Sequence, residues 1–177
     1  MISCSCVALR PSDRRKRNHG CGGCLSLHWR RSMGKKQFAA LPFRLDNSEL
    51  HVMLITTRRK RRWSVPKGSP MRDKQPHHTA ELEAYEEAGL IGVVAKRALG
   101  SFKHRKRKGE RKRTMNVAVF PMKVHGQERW WPEKGEREAI WVSAETAARL
   151  VHKAQLRRLI SRFAARTGRS ASTLLTG

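Results

Sequence analysis

Four glutamates, Glu81, Glu83, Glu86 and Glu87, fall within seven residues of a chain that carries 39 Lys and Arg against only 14 Asp and Glu. The stretch His77 to Ala88 reads as a short helix. Pro76 suits its first turn and Gly89 suits its end, where a left-handed residue is needed. At about 100° per residue, Glu83 and Glu87 stand about 40° apart around the axis, and Glu86 lies about 60° from one and about 100° from the other. Three carboxylates therefore share one face, with Ala80, Leu82 in part, Ala84, Tyr85 and Ala88 left for a buried back face. Like charges at this spacing weaken a helix by a few tenths of a kcal/mol per pair. A hard divalent cation, Mg²⁺ or Mn²⁺, would reverse the sign of that interaction, because such ions take oxygen ligands and tolerate several carboxylates. Alone, an acidic run of this kind is most often a solvated surface.

The flanking residues add to this reading. Gly68 stands upstream and Glu86-Glu87-Ala88-Gly89-Leu90 closes the segment. Together they resemble the signature of the Nudix hydrolases, Gly-x5-Glu-x7-Arg-Glu-U-x-Glu-Glu-x-Gly-U with U apolar, matched at Gly68, Glu83, Ala84, Glu86, Glu87, Gly89 and Leu90. Two positions depart: Lys74 replaces the first Glu and Leu82 replaces the Arg, a pair that in the family supports the loop–helix geometry. The wording Val-Pro-Lys-Gly-x-Pro-Met is similar to a bacterial branch related to diphosphoinositol-polyphosphate and diadenosine-polyphosphate hydrolases.

The resemblance implies an α/β fold, a Nudix-type α/β/α sandwich with a central mixed sheet, and hydrolysis of phosphoanhydride bonds assisted by Mg²⁺ or Mn²⁺. It implies Glu83 and Glu87 as metal ligands, Glu86 as a third ligand or the catalytic base on water, and the Gly68 carbonyl facing the metal. Glu136 or Glu138 is a candidate for a further carboxylate. The cations nearest the signature, Lys67, Arg59, Arg61, Arg72 and Lys74, become candidates for substrate binding, and a highly phosphorylated inositol or dinucleoside polyphosphate would suit them. Trp63, Trp130 and Trp131 are candidates for stacking on a base, though core or rim placement is the commoner fate of such residues. His77 and His78 read as helix-start residues.

The formal net charge of +25 calls for a polyanionic partner or substrate, or loose attraction to nucleic acid or anionic membrane. Two alternatives to the small-molecule hydrolase follow from it: removal of pyrophosphate from RNA 5′ ends, and a basic nucleic-acid-binding module that keeps the fold without catalysis, as Lys74 and Leu82 suggest. No apolar run reaches 18 residues and Met1 to Arg10 has no leader-like apolar core, so the expectation is a cytoplasmic chain without a transmembrane segment.

The length of 177 residues suits one domain. Residues 1–33 read as a basic, disordered N-terminal extension, 34–166 as the Nudix domain and 167–177 as a polar tail. All four cysteines lie in the extension; Cys21-Gly-Gly-Cys24 followed by His28 resembles half a zinc site, in a segment too poor in apolar residues to build around it. The elements that must position the glutamates follow in order. Gln37 to Leu45 and His51 to Thr57 read as a strand hairpin turning at Asp46-Asn47-Ser48. Trp63 to Val65 leads through Pro66-Lys67-Gly68 to the acidic helix. Ile91 to Phe102 holds one or two strands, Lys103 to Arg113 is a basic run around Gly109, and Thr114 to Val124 is a strand. A loop from Trp130 to Arg137 precedes a short strand, Ala139 to Val142. Ser143 is placed to cap a helix from Ala144, and Leu156, Leu159, Ile160 and Phe163 form the apolar stripe of a last helix.

Overall fold

The computed structural model of the chain describes residues 36–47, 49–108 and 111–173, side chains excepted at 106–113 and 168–173. Its elements run β1 (Lys36–Asp46), β2 (Glu49–Thr56), β3 (Trp63–Ser64), β4 (Lys67–Gly68), α1 (Pro76–Ala88), β5 (Leu90–Val94), β6 (Gly100–Lys108), β7 (Arg111–Gln127), β8 (Ala139–Ser143), α2 (Ala144–Leu150) and α3 (Ala154–Thr173). The N-terminal extension, with its cysteines and His28, lies outside the described residues.

Side chains alternate across a strand, so strands with apolar residues on both faces must be covered on both. Val52 and Leu54 of β2 point to one side, with Leu41, Phe102, Val117 and Val119, where Ala147, Leu156 and Ile160 of α2 and α3 cover them. Met53 and Ile55 point to the other, with Ala40, Phe120 and Met122, where Ala80, Ala84 and Ala88 of α1 cover them. The result is the expected α/β/α sandwich. The sheet is mixed: β1 and β7 run parallel, Lys36 opposite Asn116 through Phe43 opposite Lys123, while the other pairings are antiparallel. No helix among the described residues is long and apolar enough to cross a membrane.

The end of β1 that carries the site changes neighbours. Phe38 and Ala39 pair with Gly68 and Lys67 of β4, whereas Phe43 to Asp46 pair with β2. Pro42, which has no N–H to donate, falls in the interval between the two partners. Ala40 N–H reaches the Pro66 carbonyl at 3.1 Å, which ties the Val65-Pro66-Lys67-Gly68 segment to the middle of the sheet.

Two readings of the sequence are refined and a third is met. The basic run, to which the sequence assigns no element, carries the β6–β7 ladder, with Lys106 opposite Arg113, Arg107 opposite Lys112 and Lys108 opposite Arg111. Tyr85, expected on the buried face of the acidic helix, is 38 % exposed, and Glu87 is buried there instead. The N-cap at Ser143 is present, its hydroxyl accepting the Thr146 N–H at 3.3 Å.

Ile160 is fully buried in the layer under α3. Truncating such a side chain removes transfer energy and leaves a cavity, so Ile160→Ala is expected to lower unfolding stability by about 2–5 kcal/mol. Denaturant titration of both proteins checks this, and a loss below about 1 kcal/mol would mean that α3 is not packed as described.

Candidate active site

Helix α1 presents its glutamates because both of its ends are fixed. Pro76 occupies the first turn, where a missing N–H costs nothing. At the other end Gly89 takes φ +66°, and its N–H bonds back to the Tyr85 carbonyl at 2.7 Å. A Cβ at Gly89 would also stand 2.6 Å from the Trp131 ring, so glycine is required there for conformation and for space. The carbonyls that a helix C-terminus leaves without partners are met by the next segment. Gln127 Nε2 donates to the Ala88 carbonyl at 2.9 Å. The N–H groups of Glu128 and Glu133 donate to the carbonyls of Gly89 and Glu86 at 2.8 and 3.1 Å. The loop after β7 is thereby laid along the acidic helix.

The carboxylates of Glu83 and Glu87 meet the edge of β4. Glu83 lies directly over Gly68, where even a Cβ would overlap its carboxylate, so this position admits only glycine unless Glu83 moves. Glu87, four residues on, has a side chain only 6 % exposed. Its Oε2 accepts the Lys67 backbone N–H at 2.9 Å, and its Oε1 accepts from the Arg137 guanidinium. Arg137 is itself 9 % exposed. It donates through Nε to Glu133 at 2.9 Å and through Nη1 to the Thr56 carbonyl at 3.2 Å. Arg58 pairs with Glu133 from outside and with Glu136 at 2.7 Å. Charge therefore alternates along Arg58, Glu133, Arg137 and Glu87. Removing one partner of a pair this buried typically costs about 3–5 kcal/mol, because it strands the other charge.

Crowding of like charge shows in the protonation of the site. The Glu83 carboxyl is pushed up from its ordinary 4.5 to about 7, first by burial and then by the Glu87, Glu86 and Glu133 carboxylates, with the Lys67 ammonium pulling the other way. Glu87 is also raised by burial, against the pull of Lys67 and Arg137. Among the described residues no three His, Cys, Asp or Glu side chains converge on one point. Even so, the donor set suits a divalent cation. Two carboxylates of a hard-oxygen type neighbour each other, a third lies within electrostatic reach, and the missing Cβ of Gly68 lets the Glu83 carboxylate lie against the backbone of β4. Mg²⁺ keeps several waters and is commonly held by one or two carboxylates plus substrate phosphate.

The remaining candidates separate into two groups. Lys67 sits beside the carboxylates. Arg59, Arg72 and Lys74 are exposed. Arg61 is committed elsewhere, to Glu138 and to the Glu136 carbonyl at 3.1 Å, so Glu136 and Glu138 both serve as partners of arginines. His77 and His78 lie against each other at the helix start, ring centroids 4.1 Å apart and planes tilted by 51°. Trp63 packs against the core, Trp131 covers Gly89, and Trp130 is 78 % exposed with the Lys134 ammonium 4.3 Å from its ring centre. Arg137 and Glu133 escaped the sequence reading. Their signal was the i,i+4 spacing of an acid and an arginine in the loop, in a chain whose acidic helix lacks the signature's own arginine.

Comparison with known proteins agrees with this geometry. The profile of the NUDIX domain matches residues 35–163. Nudix hydrolase 18, mitochondrial, of Arabidopsis thaliana is 31% identical over 127 residues, 67% of this chain and 70% of that protein. The chain spans less of three further Arabidopsis Nudix hydrolases, 57% to 59% of their length. Diphosphoinositol polyphosphate phosphohydrolase 2 of Homo sapiens is 35% identical over 74 residues, 42% of this chain and 41% of that one. Among solved structures, a C. elegans Ap4A hydrolase complex superposes with TM-score 0.56 at 15% identity, over 73% of this chain and 95% of that one. An E. coli dihydroneopterin triphosphate pyrophosphohydrolase superposes with TM-score 0.55 at 16% identity, over 75% and 96%. At these identities the superpositions speak for the fold.

A carboxyl whose pKa rises on folding stabilises the fold fully below the unfolded value and loses that contribution as pH rises through the folded value. For Glu83 the window runs from pH 4.5 to about 7. Glu83→Gln mimics the protonated side chain. In EDTA, the melting temperature of the unaltered protein relative to this variant is expected to fall between pH 5 and pH 8, as followed by circular dichroism. A difference that stays flat across the window would contradict the burial and crowding described.

Proposed function

The chain belongs to the Nudix family of hydrolases, and on that premise we propose that it cleaves phosphoanhydride bonds in highly phosphorylated small molecules, diphosphoinositol polyphosphates or dinucleoside polyphosphates, with Mg²⁺ or Mn²⁺. The observation that carries this reading is the placement of Glu83 over Gly68 beside Glu87, two carboxylates held together at a cost that a cation would offset. Glu83 and Glu87, with the Gly68 carbonyl, are the residues that would hold the ion, and Glu86 is the further ligand or the base. When bound, such an ion neutralises phosphate charge and makes a bound water more acidic.

The residues of the chain supply the rest. The Lys67 N–H fixes one oxygen of Glu87, so that carboxylate cannot rotate freely. Glu86 is half-buried on the same helix, where it can take a proton from an attacking water. Lys67, Arg59, Arg72 and Lys74 provide positive charge around the signature loop, and charge-assisted hydrogen bonds to phosphate are about twice as strong as neutral ones. Arg61, already paired, contributes to this group mainly by holding the turn that carries Arg59. A substrate with many phosphates fits a site with this many cations better than a simple nucleotide would. The 35% identity over 74 residues to a diphosphoinositol polyphosphate phosphohydrolase supports the same substrate class.

A phosphate-release panel tests the reading. With Mg²⁺ or Mn²⁺ present, turnover is expected on a diphosphoinositol polyphosphate or on diadenosine hexaphosphate, and only weakly on triphosphorylated RNA. Glu86→Gln is expected to lower kcat by about 10²–10⁴-fold with the fold retained, the range for removal of a general base. Unchanged turnover in that variant would remove the assignment, and preferential turnover of RNA would replace the substrate.

A further inference from the structure

The family signature places its arginine on the acidic helix, and this chain has Leu82 there. The acidic cluster nevertheless contains a buried guanidinium, brought from fifty residues downstream. We propose that Arg137 is the positioning residue of the cation site, holding Glu87 in the orientation in which it can serve as a ligand and so standing in for the missing signature arginine. This rests on the reading of Glu83 and Glu87 as cation ligands.

Three features of the geometry support it. First, Arg137 is anchored independently of Glu87. Its Nη1 is tied to the Thr56 carbonyl in β2 and its Nε to Glu133. A planar guanidinium fixed at two edges presents its third edge in one direction, which a flexible lysine ammonium would not do. Second, the anchors belong to different parts of the fold. Thr56 is also clamped to the loop by its own N–H, to the Glu138 carbonyl at 2.9 Å, and by its hydroxyl, from the Glu138 N–H at 3.0 Å. Glu133 is tied by its N–H to Glu86 in α1. Arg137 thus joins the central sheet, the loop after β7 and the acidic helix at one point. Third, Glu87 is contacted once at each oxygen, by Lys67 N–H on one side and Arg137 on the other. A carboxylate oxygen has two acceptor positions, so each oxygen keeps one for a cation while the plane of the group is fixed. Groups that orient metal ligands in this way typically affect metal affinity or activity by about 10–100-fold when lost.

The experiment measures Mn²⁺ binding to the metal-free full-length protein by electron paramagnetic resonance, together with melting temperature and the kinetics of phosphate release. Arg137→Lys keeps the charge and loses the fork; Arg137→Met removes both. Arg149→Ala, which deletes an exposed arginine–glutamate pair on α2, is the control. The expected result is Mn²⁺ affinity weaker by about 10–100-fold in Arg137→Lys, with melting temperature close to that of the control, and kcat largely recovered at saturating Mn²⁺. If Arg137→Met fails to fold, Arg137→Lys alone decides. Unchanged Mn²⁺ affinity in a folded Arg137→Lys would make the contact merely structural, and tighter binding would make Arg137 a competitor of the cation; either result overturns the proposal. Absence of Mn²⁺ binding by the unaltered protein would overturn the proposed function along with it.

Discussion

The burial of one carboxylate, Glu87, organises the end of the molecule where the site lies. A charged group 6 % exposed must be paid for by directed partners. Those partners come from three places in the chain: the backbone of β4 through Lys67, the loop after β7 through Arg137, and, behind Arg137, the carbonyl of Thr56 in β2. Satisfying Glu87 therefore fixes the strand that carries Gly68, the loop that caps the acidic helix and the edge of the central sheet relative to one another. Glu83 then lies over Gly68, and burial first, followed by the carboxylates around it, pushes its carboxyl up to about 7. The constellation is electrostatically uncomfortable without a cation, which is the physical reason for expecting one.

Most of the scaffold was legible because it obeys local rules. The alternation in Val52-Met53-Leu54-Ile55 assigns successive residues to opposite faces, and the two cores follow it. Pro76 and Gly89 bracket the acidic helix, and Ser143 caps α2 as its chemistry requires. What the sequence left open depends on distant residues. Glu87 looks like a surface acid when counted around a helix, since nothing nearby announces that β4 and Arg137 will enclose it. Tyr85, assigned inward as a position left over from the carboxylate face, stands outward because the covering positions are taken by Ala80, Ala84 and Ala88, whose small side chains let the helix lie close to the sheet. The basic run after Phe102 reads as no particular element, because repelling cations are poor strand residues, yet the ladder begun by its neighbours carries through it.

The departures from the family signature take on a different meaning beside this geometry. Lys74 and Leu82 remove an acid and an arginine together, so both supports are gone and a neutral pair gives way to a single positive charge. The loop after β7 brings its own acid and arginine, Glu133 and Arg137, and ties them to the same helix. Lys74 is thereby left as an exposed cation on the signature loop, beside Arg72, in a chain that carries a large excess of positive charge. The substitution that looks like a loss in the metal framework is, on the substrate side, an addition.

The claim on which the account turns is that Glu83 and Glu87 hold a divalent ion against Gly68. Its most direct measurement is anomalous diffraction from crystals of the protein equilibrated with Mn²⁺. The expected result is a peak about 2.0–2.2 Å from carboxylate oxygens of both Glu83 and Glu87, with the Gly68 carbonyl facing it. Ions found only elsewhere, with Glu83 and Glu87 unligated at saturating Mn²⁺, would contradict it.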